Sequence, residues 1–399
     1  MRVTQSLEQT QFIAQIDALE SNISTTQNQI SSGLAFTTPA QDPAAAGRVD
    51  NYNQVLAQSQ QYSANANAAQ SGLNTEGTAL AQVTSQLQSL RDLALEANSG
   101  TESSQNLAAI ATQAQQIQQS LLSLANTQDG NGNYIFAGFD ATTQPFALTA
   151  TGASYSGDQG QLQVQIAAGQ TVAAGDNGDA VFNQIKNGNG TFSVAANSAN
   201  TGSGIIGATT VSDPASYPGD SYSIQFTAAD TYQVTDTTTN AVVTSGAYTS
   251  GQAIAFDGLQ VTLSGQPATG DSFAVSPSTN QSMFTTVQNL VTALQAGASS
   301  PAGQTALSNS IAGSINDLNQ ALTQMSTVQA GVGGRLDAIT TQLSVATSQQ
   351  TQLQQSIASL QGLNYASAIT SLETQNTTLS AAMQAFSITQ GLSLFKYIS

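Results

Sequence analysis

Apolar residues recur every seven positions near both ends of this chain, and that spacing restricts the fold more than any other feature. Toward the start Ile16, Ile23 and Ile30 are seven apart, with Leu19 between them and Leu34 closing the run. Toward the end Leu336, Leu343, Gln350, Ile357 and Asn364 form one row, and Ile339, Ala346, Leu353, Leu360 and Ser367 form a second, three residues later. A strand would need a period of two, so these segments bury their apolar rows as paired helices. Gln350 interrupts the seam at a position where a polar residue sets register at a cost in stability. After Gly362 the phase slips by one residue, and Ile369, Leu372, Leu379, Met383 and Phe386 carry the stripe onward.

The same spacing returns further in. Leu73, Leu80, Leu87 and Ala94 alternate with Val83, Leu90 and Ala97, and Leu107, Ala114 and Leu121 run beside Ile110, Ile117 and Leu124. The short polar link Ser99-Gly100-Thr101-Glu102-Ser103-Ser104 predicts that these two helices fold back as an antiparallel pair. From Asn133 to about Pro277 the period changes to two: Leu162, Val164 and Ile166; Tyr222, Ile224 and Phe226; Tyr232 and Val234; Leu259, Val261 and Leu263; Phe273 and Val275. Asp257-Gly258 sits between two such runs as a hairpin turn. Turn residues every 8 to 12 positions predict antiparallel strands in a sandwich or barrel-like layer. The expected fold class is therefore α+β: a long helical coiled-coil rod formed by both chain ends, with an inserted antiparallel β domain. The texture divides the chain into an N-terminal helical segment 1–134, a β-rich domain 135–280 and a C-terminal helical segment 281–399.

Composition narrows function by exclusion. Only 7% of the 399 residues are charged, and 6 basic against 23 acidic residues give a net charge of -17. The six, Arg2, Arg48, Arg91, Lys186, Arg335 and Lys396, are scattered, so no basic stripe exists to neutralise phosphates and nucleic acid is not an expected partner. There is no His and no Cys. That removes Ser-His-Asp catalysis, thiolate nucleophiles and the usual zinc sites, so no catalytic residue, metal or cofactor is expected. Polar residues at Thr4, Gln5, Ser6 and Glu8 interrupt any apolar core of a secretory signal. No apolar run approaches the roughly 18 residues of a membrane span. The expectation is a soluble chain without membrane insertion, exported if at all by a route that removes no signal.

Three motifs have ordinary readings. Gly202-Ser203-Gly204-Ile205-Ile206-Gly207 matches a dinucleotide fingerprint in letters, but Ala208-Thr209-Thr210-Val211-Ser212-Asp213-Pro214 does not begin a helix, so it reads as a flexible loop. Asp129-Gly130-Asn131-Gly132-Asn133 opens like a Ca²⁺ loop but has Tyr134 where Gly is required and Asp140 where Glu is required, so it reads as a turn. Asp158, Asp176 and Asp179 read as solvated turn residues, not paired catalytic carboxylates.

Several segments carry a resemblance in common. Gln29-Ile30-Ser31-Ser32-Gly33-Leu34, then Thr38-Pro39 and Asp42-Pro43-Ala44-Ala45-Ala46, resembles the N-terminal signature of the flagellin superfamily, and more narrowly its hook-associated protein 3 branch at the hook-filament junction. Gly132-Asn133-Tyr134-Ile135-Phe136-Ala137-Gly138, Val332-Gly333-Gly334-Arg335-Leu336 and Leu363-Asn364-Tyr365-Ala366-Ser367-Ala368-Ile369-Thr370 are similar to that branch. So is the close, Leu392-Ser393-Leu394-Phe395-Lys396-Tyr397-Ile398. Gly219-Asp220-Ser221-Tyr222 and Gly270-Asp271-Ser272-Phe273 resemble a module of hook-associated proteins. Ala40-Gln41 and Lys396 depart from the family pattern.

The resemblance implies a secreted structural subunit of the bacterial flagellum: a homo-oligomeric ring between hook-associated protein 1 and the first flagellin layer. It also implies type III export in the unfolded state, with a flagellar export chaperone on the C-terminal helix. The residues add an expectation of their own. Ser, Thr and Asn are mediocre helix formers and the scarcity of Lys and Arg leaves few i,i+4 salt pairs, so the end helices are expected to order only when neighbouring subunits cover them. The expected assembly interface is Ile16, Leu19, Ile23, Ile30, Leu34, Leu336, Ile339, Leu343, Leu353, Ile357, Leu360, Ile369, Leu372, Leu379, Met383, Phe386, Leu392, Leu394 and Phe395. Flagellin itself, or an adhesin whose β domain binds a surface ligand, are the alternatives.

Overall fold

The computed structural model describes residues 2–99 and 102–391. Among the described residues six α-helices precede and follow a β region along the chain: α1 Arg2–Ser32, α2 Pro43–Ala97, α3 Ser104–Ala125, α4 Met283–Ala296, α5 Pro301–Gln361 and α6 Tyr365–Gly391. The strands are β1 Phe146–Thr149, β2 Gly152–Tyr155, β3 Gln163–Ala167, β4 Gln170–Ala173, β5 Ile185–Lys186, β6 Phe192–Ala196, β7 Ile205–Val211, β8 Tyr222–Ala228, β9 Thr231–Asp236, β10 Ala241–Ala247, β11 Ala253–Phe256, β12 Leu259–Ser264, β13 Ser272–Pro277 and β14 Asn280–Gln281. N-terminal helices pair with C-terminal ones and the antiparallel strands lie between them in the chain, so the expected α+β class holds.

Two compact units are present, Met1–Ala64 with Thr341–Ser399, and Asn65–Thr340. In the first unit α1 lies along α6, where Phe12 stacks on Phe386 with centroids 5.0 Å apart. Asp42 caps α2 by accepting from the Ala45 N–H at 2.9 Å, and Pro43 occupies the first helical position, where no N–H is needed. The start of α2 buries Phe36, Ala45, Ala46 and Val49 against Ile357 and Leu360 of α5. The phase slip seen in the sequence is a physical break: α5 stops at Gln361 and α6 starts at Tyr365.

In the second unit the apolar row of α2 is sealed, with Leu73, Leu80, Val83, Leu87 and Leu90 at 0% exposure. Helix α3, capped by Ser103 accepting from Asn106 N–H, packs along α4. An aromatic cluster of Phe136, Phe146, Phe182 and Phe284 joins the first hairpin to α4, with centroids 5.1 to 5.4 Å apart. Beyond it, a five-stranded sheet of order β10-β9-β8-β13-β6 and a three-stranded sheet of order β11-β12-β7 share one core. Alternation places Tyr222, Ile224 and Phe226 inside from one sheet and Leu259, Val261 and Leu263 from the other. Of the sandwich and the barrel-like layer expected, the sandwich is observed, and Asp257 (φ 41°) and Gly258 (φ 76°) make the tight turn between β11 and β12.

Two readings need correction. The Gly202–Gly207 segment is not a flexible loop throughout: Thr201 and Gly202 donate their N–H groups to buried Asp271, and Ile205 opens β7. Asp176 is not a solvated turn residue: its carboxylate pairs with the Arg335 guanidinium, and both side chains are largely covered. The Asp129 loop is the expected turn, with Asp129 accepting from Asn131 N–H at 2.8 Å and Asn133 N–H at 2.9 Å. Among the described residues no helix is long and apolar enough to cross a membrane.

Candidate assembly surface

The heptad rows at the chain ends are only half covered. Ile23 and Ile339 are buried, while Ile16, Leu19, Ile30, Leu34, Leu336, Leu343, Leu353, Ile357, Leu360, Leu372, Leu379 and Phe386 are intermediate. Ile369 and Met383 stay 47% and 48% exposed, and Leu7 and Ile388 are exposed as well. The contrast with the sealed row of α2 is physical: two helices alone leave the flanks of their seams in water. Leu392, Leu394 and Phe395 lie outside the described residues.

Neutral hydrogen bonds hold the register of these pairs. Gln350 donates to Ser59 and Ser63 across α2 and α5, and Thr26 donates to Gln375 at 3.2 Å across α1 and α6. At the breaks the backbones themselves pair: Ala35 N–H donates to Gln361 C=O at 2.7 Å, and Leu363 N–H to Gly33 C=O at 3.0 Å, around an antiparallel bridge of Leu34 with Gly362. Gly33 adopts φ +73°, with the Tyr365 hydroxyl only 2.9 Å from where a Cβ would stand. Both helical strands are thus interrupted at one level and tied together there.

The second unit holds a buried acid. Glu76 occupies a core position of α2 between Leu73 and Leu80, is 2% exposed, and neither carboxyl oxygen has a hydrogen-bonding partner. Burial first, and the neighbouring Asp176 charge second, push its pKa up to about 9, so it is protonated at neutral pH. Arg335 works the other way but is already paired with Asp176. No group of three or more acidic side chains positioned to hold a metal ion occurs among the described residues.

With that geometry in hand, the relatives decide the family. The bacterial flagellin N-terminal helical region matches residues 3–141, and the D2-like domain of flagellar hook-associated protein 1 matches residues 195–277. The crystal structure of Xanthomonas campestris FlgL is similar over 77% of this chain and 99% of that one, at 34% identity and a TM-score of 0.73. The chain belongs to the flagellar hook-associated protein 3 (FlgL) family. The flagellar junction protein FlgL of Legionella pneumophila aligns over 74% of this chain and 99% of its own, at 29% identity and a TM-score of 0.67. Flagellar hook-associated protein 3 of Escherichia coli (strain K12) is 35% identical over 157 residues, which is 39% of this chain and 49% of the relative. The chain therefore spans about half the length of the curated relatives it matches.

FlgL relatives form a structural family, not an enzymatic one. Sequence reasoning found the seams of this FlgL-family chain but missed residues that complete them. Phe12, one heptad before Leu19 on the same row, stacks on Phe386, and Phe36 and Val49 form the small core at the start of α2. The apolar triplet Leu34-Ala35-Phe36 beside a capping Asp-Pro was the available signal. Glu76 gave one too, since it stands alone among apolar residues at its heptad position.

Proposed function

We propose that this chain is an axial structural subunit of the bacterial flagellum that forms a ring at the hook-filament junction, between hook-associated protein 1 and the first flagellin layer. Family membership supports the flagellar setting, and the Legionella pneumophila relative is a flagellar junction protein. The observation that carries the assembly mechanism is the half-covered state of the end seams, from Ile16 to Leu34 and from Leu343 to Phe386. Apolar flanks left in water gain most when neighbouring copies cover them, so ordering of the ends is coupled to ring formation. The three-part division, helical 1–134, β-rich 135–280 and helical 281–399, places the assembling parts at the ends and the β domain between them. Export unfolded through the flagellar type III apparatus, with a chaperone on the C-terminal helix, completes the proposal.

The test is complementation of a strain made non-motile by loss of its own junction subunit, with immunogold electron microscopy of the detached flagella. A single labelled band between hook and filament, with swimming restored, is the expected result. Label along the whole filament identifies a flagellin instead.

A further inference from the structure

Phe139 is 65% exposed, yet its loop is tied down at every step. Gly138 adopts φ +75°, and the Asp158 carboxylate accepts from the N–H groups of Phe139 at 2.9 Å, Asp140 at 3.1 Å and Gly160 at 2.6 Å. The ring rests against Gly160, where any Cβ would stand 2.1 Å from a ring carbon. An aromatic side chain held into water by a rigid loop has already lost the freedom that binding would cost, which is how interface anchors are built.

Beside it lies a hollow of about 270 Å³ lined by Ile135, Gly138, Gly160 and Leu162, the last 57% exposed. Glu76 lines the same hollow, buried and with both oxygens unpartnered. Acidic side chains border it: Asp129, in its lining, and Asp158, which accepts from the N–H of the lining residue Gly160, have carboxyls held below the usual range by backbone N–H groups. Arg335, the basic side chain that reaches the site, is engaged by Asp176.

We propose that Phe139 and this hollow dock a different axial protein, one whose surface offers an apolar socket bordered by lysine or arginine. Charge favours a different protein over a second copy at this rim. Each copy carries a net charge of -17 with six scattered basic residues, so two copies meeting at an acidic rim repel, whereas a basic border is attracted. The inference rests on the axial role proposed above.

The full chain, with p-benzoylphenylalanine at position 139, is assembled onto flagella of the complemented strain, irradiated, and the product mapped by mass spectrometry. The expected product joins position 139 to another protein, within a segment where apolar residues adjoin Lys or Arg. Phe139→Ser is expected to cut the amount of chain retained on sheared flagella by about tenfold or more, with an unchanged melting temperature because the ring is exposed. A product joining two copies, no product from chain present on the flagella, or undiminished retention of the serine variant overturns the inference. Absence of the wild-type chain from the flagella overturns the axial reading, and this inference with it.

Discussion

The side-chain amide of Gln350 donates to the hydroxyl of Ser59 at 3.2 Å, and to that of Ser63 at 3.1 Å, across the pair formed by α2 and α5. The device recurs: Gln329 donates to Thr84 at 3.1 Å across the same pair, and Gln118 to Gln288 at 3.1 Å across α3 and α4. In a chain with 7% charged residues, neutral hydrogen bonds fix the register that salt bridges fix elsewhere.

Gln350→Ala is therefore expected to cost about 1 kcal/mol in denaturant unfolding, and less when Ser59→Ala and Ser63→Ala are already present. Because no charge is involved, the cost should be the same at low and high salt. A cost that fades with added salt contradicts the assignment.

Glu76 links folding to protons. Its pKa rises from 4.5 to about 9 on folding, so between those values the unfolded chain is ionised while the folded chain keeps its proton. The stabilising protonated state is fully available below about pH 4.5 and is lost progressively as pH rises toward 9, a penalty of ~3 kcal/mol at pH 7. Glu76→Gln should match the wild type near pH 4 and exceed it in melting temperature by a margin that grows to pH 9. Parallel melting curves for the two proteins across that range would remove the linkage.

Gly33 is restricted twice, by its positive φ and by the Tyr365 hydroxyl. Gly33→Ala should destabilise the helix ends by ~1–2 kcal/mol, read as lost helical circular dichroism at a lower temperature. Tyr365→Ala should recover the steric part and leave the backbone part. Full recovery would mean that the left-handed conformation costs nothing.

Periodicity made the architecture legible. The seven-residue rows located α1, α5 and α6, the phase slip at Gly362 marked the α5–α6 break, and alternation at Tyr222–Phe226 and Leu259–Leu263 found the two faces of the sandwich. Long-range pairing left no such trace. Nothing in the spacing says that Asp176 meets Arg335, 159 residues away, because turn aspartates are usually solvated and only the fold brings a guanidinium to this one. Phe139 was equally silent: a lone aromatic after Ala-Gly reads as core until the Asp158 cradle turns it outward. The proposed interface residues were readable as apolar rows, but a row does not say which neighbour covers it.

Amide hydrogen exchange of the purified chain, compared with the same chain in sheared flagella, tests the central claim most directly. In the free chain, α1 and α6 should exchange orders of magnitude faster than residues 73–97 of α2, and in the flagellum both helices should become as protected as α2. Equal, strong protection of α1, α6 and α2 in the free chain would contradict the account, because the end seams would then be satisfied without a neighbour.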